Sequence, residues 1–271
     1  MLAEQHNPLA LQRGSVRPAG VQNYLLGGKD HFAAERTLAE ALIATVPNLR
    51  HAEQGNRRWR SRTVARLVGE EGVLQFLDLG AGFPDSEHTH VVAQQAAPTA
   101  RVVYADAEPT VMVHGRALDV GSPEGELTHL TLAAAFCYAD LLQLLAVQSV
   151  LDLSRPVAVL ACGFLQYAPD LVAAQAQIAA LVSALAPGSY LAVSHPLSEG
   201  PTHGWGLGSE AYREAGLRLQ TVTLSAVRGY LAGLDLVGPG WQPTSDWLSG
   251  DDKAPEPAGD SEYWAAIGRK P

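Results

Sequence analysis

The chain has 271 residues, 47% of them hydrophobic and 17% charged, with a formal net charge of −9 at pH 7 and a pI near 5.4. That length buries one substantial core and demands no second. The negative field disfavours nucleic acid or an anionic membrane as partner, so a small-molecule substrate is expected.

Only Cys137 and Cys162 occur, each in an apolar stretch. A disulfide framework or cysteine metal site is therefore not expected, and the compartment should be reducing. The first eight residues lack the basic start and apolar core of a signal peptide, and no apolar run reaches about eighteen residues. The expectation is a soluble cytoplasmic protein.

Residues 1–32 are polar and glycine-punctuated, ending in Asn23 to Phe32. Apolar spacing of three to four residues then predicts helices over Ala33 to Thr45 and Leu49 to Glu71. These form an N-terminal extension and helical flank, residues 1–72, ahead of a core at 73–271. The core opens on Val73 to Leu79, an apolar run that ends in Asp78-Leu79-Gly80-Ala81-Gly82. Such a run reads as a buried strand feeding a tight turn, where missing Cβ atoms let a nucleotide-sized ligand reach the backbone. No third glycine stands at dinucleotide spacing, so the turn matches a methyl-donor site better than a nicotinamide fingerprint.

Arg101 to Asp106 reads as a second strand ending on an acid, followed by helical spacing from Thr110 to Leu118, and Leu127 to Ala133 is a candidate third strand. Pro156 to Gly163 is a near-continuous apolar run suited to a parallel strand buried on both faces. A helix over Asp170 to Leu185 and a strand over Tyr190 to His195 follow. A Gly-rich loop is expected around Pro201 to Gly208, then a helix near Ser225 to Ala232 and short strands near Leu234 to Val237 and Tyr263 to Gly268. Ser249 to Asp260 looks like an exposed loop. The fold class is α/β, a mostly parallel twisted sheet with helices on both faces.

The chain resembles the actinobacterial S-adenosyl methyltransferase family once catalogued as a domain of unknown function. The resemblance rests on Tyr24-Leu25-Leu26-Gly27-Gly28-Lys29-Asp30 with Phe32-Ala33-Ala34, then Asn56-Arg57, Phe76 to Gly82, Arg101 to Tyr104, Leu151 to Pro156, Leu185 to Leu191 and the closing Gly268 to Pro271. It implies a Rossmann-like methyltransferase fold. It also implies that Asp78, Gly80 and Gly82 hold the methionine end of S-adenosylmethionine and that Asp106 holds the ribose hydroxyls.

Departures from the family pattern surround the same crevice. A block near Ala-Arg-Val-Tyr-Asp-Tyr in the family is Ala19 to Tyr24 here, losing an arginine, an aromatic ring and a carboxylate. The segment expected to carry an acid for adenine reads Leu132 to Cys137, with Asp140 a replacement only if the gap is placed differently. A His-Phe pair after the fourth strand becomes Gln166-Tyr167. Each lost charged hydrogen bond forfeits about 1.5–3 kcal/mol, so donor binding is expected to be weak or absent.

Asp85, Glu87 and His88 stand just beyond the glycine turn, where the family is mostly neutral. An imidazole with nearby carboxylates equips a crevice for proton transfer near neutral pH. The alternative is that Asp85 or Ser86 caps the following helix with Glu87 on its first turn. His88-Thr89-His90 is not expected to bind metal, because spacing places no third ligand and alternate residues on one helix diverge. Tyr24, Lys29 and His31 lie in the family block and are candidate substrate contacts. Tyr167 could wall the pocket, and His195 ends the fifth strand beside the crevice.

Three functional readings follow. The first is an enzyme that has largely given up S-adenosylmethionine and catalyses acid-base elimination or intramolecular substitution on a natural-product intermediate. Aziridine-type ring closure, which the resemblance suggests for some relatives, would be one case; the glycine turn and helix N-terminus would hold a sulfate or phosphate leaving group. The second is an ordinary S-adenosylmethionine-dependent methyltransferase. The third is a non-catalytic partner subunit. A homo-oligomer or an assembly with a partner is compatible with each.

Overall fold

The apolar runs pair as strands in the computed structural model, which describes residues 16–46, 48–132, 138–198, 204–248 and 263–271. The strands are Gln75–Leu79 (β1), Arg101–Asp106 (β2), Glu126–Thr131 (β3), Ala158–Cys162 (β4), Tyr190–Pro196 (β5), Asp235–Pro243 (β6) and Tyr263–Arg269 (β7). They form one sheet in the order β3-β2-β1-β4-β5-β7-β6. The first five are mutually parallel, while β7 runs antiparallel to both β5 and β6. Leu77 stands between Val103 and Val159 in register. Every residue of β1, β4 and β5 is buried, as parallel strands covered by helices on both faces require.

The helices are Pro18–Leu25 (α1), Ala33–Thr45 (α2), Leu49–Gly69 (α3), Thr89–Ala96 (α4), Pro109–Leu118 (α5), Leu145–Gln148 (α6), Leu171–Ser183 (α7), Gly204–Glu214 (α8) and Leu224–Val227 (α9). On one face of the sheet Leu77, Val103 and Val159 meet Ile178 and Leu181 of α7. On the other Phe76, Val102 and Leu160 meet Trp59 and Leu67 of α3 and Met112 of α5. A third cluster joins Val21 and Leu25 of α1, Leu42 of α2 and Leu49 of α3 to Trp205 and Tyr212 of α8. The helix α3 therefore has one end in the N-terminal cluster and the other against the sheet.

Three elements differ from expectation. Helix α1 lies in a stretch read as polar extension; it starts at Pro18, whose ring is suited to a first helical turn, and buries only Gly20, Val21 and Leu25. Helix α8 occupies most of the expected Gly-rich loop, because burial of Trp205 and Tyr212 outweighs the poor helix propensity of its glycines. Strand β6 continues past Val237 to Pro243, with a register shift between Val237 and Gln242 absorbing Gly238-Pro239-Gly240. The expected helix at 225–232 is the short α9 followed by a 3-10 turn over Arg228–Leu231. Among the described residues, no helix is long and apolar enough to cross a membrane.

Candidate functional site

Strand β1 leaves the sheet through Gly80 and Gly82, which have φ of 72° and 70°. Side chains disfavour that left-handed region by about 1–2 kcal/mol per residue. At Gly80 an added Cβ would also stand 2.4 Å from the ring of Phe164, which follows β4. Strands β1 and β4 are the neighbours at which the sheet order reverses, so a crevice opens here at the carboxyl ends of the strands. Asp106 accepts the Gly82 N–H at 3.2 Å and the Glu108 N–H at 2.8 Å, tying the turn to the start of α5. Burial raises its pKa, and those backbone donors oppose the shift. Asp78 lies beneath, accepting the Thr89 hydroxyl at 2.6 Å.

Over the turn lies a cavity of about 220 Å³ walled by Gly80 to Asp85, by the end of α1 with its following Gly27-Gly28, and by α3. Helix α3 contributes Glu53, Asn56, Arg57 and Arg60. Their spacing of three, four and seven residues puts them on one helical face. Glu53 is buried; its carboxylate accepts the Tyr263 hydroxyl at 2.8 Å and the Gln22 amide at 3.1 Å. Burial raises its pKa against the pull of those two donors. Asn56 accepts from the Ser194 hydroxyl at 2.5 Å. Arg57 pairs with Asp85 at 3.3 Å and with Glu87 at 3.7 Å. Arg60 reaches the Ala81 carbonyl at 3.4 Å, and its buried Nε has no hydrogen-bond partner. Burial disfavours the Arg60 charge, but Asp78 and Asp85 more than offset this and raise its pKa. The arrangement offers cations for an anionic ligand group beside one carboxyl group able to take a proton.

This α3 stripe was not among the expected site residues, apart from Asn56-Arg57 as a family match. Its signal was present as polar residues at i, i+3, i+4 and i+7 within a helix whose other positions include Trp59, Val64 and Leu67.

The four expected donor residues, Asp78, Gly80, Gly82 and Asp106, come together at the turn, where Gly80 and Gly82 line the cavity and the buried Asp78 and Asp106 stand behind them. Asp85 lines the cavity. It does not cap a helix; its Oδ1 accepts the Glu87 N–H at 2.7 Å, and α4 begins only at Thr89. Glu87 accepts from the Ser61 hydroxyl at 3.3 Å besides meeting Arg57. His88 does not enter the crevice, contrary to expectation. It precedes α4 with extended backbone, and its ring stacks on Tyr104 at 4.3 Å beside Asp119, 1% exposed.

The expected substrate contacts do not line this cavity. Tyr24 donates to Glu40 at 3.0 Å and sits under the Arg50 guanidinium, while Lys29 is exposed. His31 lies edge-on to Tyr24 and 3.4 Å from Asn23. Tyr167 meets the Tyr212 hydroxyl at 3.5 Å, beneath α8. His195 is fully buried with Nδ1 2.8 Å from the Pro196 carbonyl oxygen, and burial lowers its pKa to about 4. Gln166 is buried and donates to the Gly163 carbonyl at 2.7 Å. Asp140 is exposed on a 3-10 turn, and the expected adenine segment at 133–137 lies outside the described residues.

The expected absence of a metal-ligand set rested on the lack of a third ligand at a suitable spacing, which Asp119 supplies from the tertiary fold, and on divergence along one helix. The divergence does not apply, because His88 precedes α4; His88, His90 and Asp119 come together with ligand atoms within 4.8 Å of one another. Burial would raise Asp119, but hydrogen bonds to His129 and His88 hold it well below the usual carboxylate range.

Comparison with known proteins agrees with the turn. A family described as S-adenosyl methyltransferase matches residues 4–271. The chain is similar to a DUF574-family protein from Streptomyces avermitilis, 31% identical over 95% of this chain and 98% of that one, with a TM-score of 0.90. It is also similar to a candidate methyltransferase from Thermobifida fusca, 34% identical over 98% of this chain and 99% of that one, with a TM-score of 0.84. No curated protein matches the sequence.

Proposed function

The chain belongs to the S-adenosyl methyltransferase family, and from that premise we propose that it is an S-adenosylmethionine-dependent methyltransferase acting on a small polar acceptor. The observation that carries this reading is the glycine turn, clamped by Asp106 and opening on a polar cavity beneath α1 and α3.

The residues present fit the donor. The positive φ at Gly82 leaves its backbone open on the cavity side, where an added Cβ would meet only the Gln22 side-chain oxygen at 3.3 Å. The unpartnered Nε of Arg60 suits the donor's carboxylate. Asp106, held by the Gly82 and Glu108 N–H groups, keeps carboxylate lone pairs for ribose hydroxyls. S-adenosylmethionine supplies an electrophilic methyl group when bound. Glu53, held by Tyr263 and Gln22, is placed to take the proton that an acceptor O–H or N–H loses. Its raised pKa brings it nearer the range in which a carboxylate acts as base.

Elimination or ring closure, the first reading from sequence, requires proton-transfer groups at the crevice. Of the three named for that task only Asp85 lines the cavity, where it is paired with Arg57 at 3.3 Å. The family match favours the methyltransferase reading over that one.

Titration calorimetry with S-adenosylmethionine and S-adenosylhomocysteine tests it. Micromolar binding is expected for both, weakened roughly 10- to 100-fold in Arg60→Met and Asp106→Ala, as loss of a charged hydrogen bond implies. Absence of binding by either compound at millimolar concentration would overturn the reading.

A further inference from the structure

We propose that His88, His90 and Asp119 form a binding site for a divalent cation of the zinc class, structural in role, which ties the first turn of α4 to the end of α5. The side chains come from two segments, His88 and His90 at the start of α4 and Asp119 31 positions beyond His88, and converge beside Tyr104 of β2; none of them lines the cavity described above. One ligand atom of each lies within 4.8 Å of the other two. Tetrahedral zinc with bonds of about 2.0–2.1 Å separates its ligands by about 3.3 Å. Rotamer adjustments of about 1.5 Å or less therefore close the site.

The donors suit a borderline metal, two imidazoles and one carboxylate. His88 and His90 are 1% and 2% exposed. Asp119 lies 3.2 Å from the His88 Nδ1. The other ring nitrogen of His88, Nε2, is buried and has no hydrogen-bond partner. A buried imidazole nitrogen left unsatisfied costs stability, so the hydrogen bonds present do not fully satisfy this ring.

The surroundings also hold the ligands in place. His129 Nε2 lies 2.7 Å from Asp119 Oδ2, leaving Oδ1 for the metal. The Tyr104 hydroxyl lies 2.9 Å from His90 Nδ1 and accepts the His90 backbone N–H at 2.7 Å, which holds that ring in place. Ligating carboxylates and histidines are ordinarily oriented by outer partners of this kind. Tyr104 is sandwiched between the rings of His88 and His129, at 4.3 and 5.1 Å, so the assembly has little freedom to drift. Three protein ligands leave one coordination position for water. Thr89, between the two ligating histidines, donates to Asp78 under the glycine turn at 2.6 Å. A metal here steadies that turn from behind without touching the cavity.

The test uses the full chain without an affinity tag, stripped with chelator and titrated with zinc chloride alone by calorimetry. Cobalt(II) absorption serves as a second reading of coordination. One equivalent binding at micromolar or tighter affinity is expected, with a rise in melting temperature that chelator reverses. His88→Gln and His90→Gln should each lower affinity at least 100-fold while the apo protein keeps its far-ultraviolet circular dichroism. His129→Asn should weaken binding about 10- to 100-fold without abolishing it. Lack of a zinc equivalent in the wild type, or undiminished binding in His88→Gln and His90→Gln, overturns the proposal and leaves a cluster held by hydrogen bonds. Neither readout depends on methyl transfer.

Discussion

Glu108 stands two residues beyond the clamp at Asp106, and its two carboxylate oxygens have unequal surroundings. Oε1 accepts the Ala19 N–H at 2.9 Å, whereas Oε2 is buried without a hydrogen bond, 4.0 Å from Arg17. Burial pushes its pKa up to about 7, helped by Asp106 and opposed by the Ala19 N–H and Arg17. Because the folded pKa lies above the ordinary glutamate value of 4.5, the folded chain binds this proton more tightly than the unfolded chain. The stability it contributes is full below the unfolded pKa and is lost as pH rises through about 7. Glu108→Gln mimics the protonated state at every pH. Chemical denaturation should find the variant and the wild type similar near pH 4 and the variant more stable by roughly 1–3 kcal/mol at pH 8. A constant difference across that range would show that the side chain does not titrate in this window.

At the level of elements, α1 shows how a missing residue can be replaced from a neighbouring position. The family resemblance implies an arginine where this chain has Gly20, and from sequence that position reads as a lost charge. In the structure Arg17, immediately before α1 and three residues earlier, meets the buried Glu35 carboxylate at 2.5 and 3.0 Å. Gly20 is what lets Glu35 lie there, since an added Cβ would come 2.2 Å from its carboxyl carbon. Arg17→Ala should cost roughly 1.5–3 kcal/mol in urea denaturation, since the buried carboxylate loses the guanidinium and keeps only the Phe32 and residue-17 N–H donors. Adding Gly20→Arg to that variant should restore part of the loss, with Glu35 shifting to admit the new side chain. A loss below about 1 kcal/mol in Arg17→Ala would remove the ion pair from the account.

The same contrast governs what could be read in advance. The four central strands announce themselves as apolar runs because parallel strands are buried on both faces, and the glycine turn is local, its residues adjacent in sequence. Helices α1 and α8 were not legible, since a few buried side chains against distant partners hold each of them. The α3 wall of the cavity was hidden for the same reason. Arg57 meets Asp85 across 28 positions and Tyr263 meets Glu53 across 210, pairings set by the tertiary fold. His88 was misplaced because nearness to the glycine turn in sequence suggested the crevice, whereas its packing on Tyr104 and Asp119 is set by the tertiary fold.

Considered as a whole molecule, the cavity lies where two separately packed bodies of side chains meet. Leu49 and Ala52 of α3 belong to the cluster with α1, α2 and α8, while Trp59, Val64 and Leu67 of the same helix belong to the sheet. The polar stripe on α3 spans the change from one to the other, and the end of α1 completes the wall opposite the glycine turn. A ligand seated there touches both bodies, so its binding energy opposes their separation as well as local fraying. At 100 times its Kd a ligand specific for the native state adds about 2.7 kcal/mol to global stability. Local openings that expose the site are suppressed by a comparable amount. Hydrogen exchange with saturating S-adenosylhomocysteine should therefore slow in α1 through Gly28, in α3 around Glu53 to Arg60 and in the turn at 80–85. Strand β6, at the far edge of the sheet, should change only to the extent that it exchanges through global unfolding. Protection confined to 80–85 would mean that the ligand rests on the sheet alone and that α1 and α3 do not close over it.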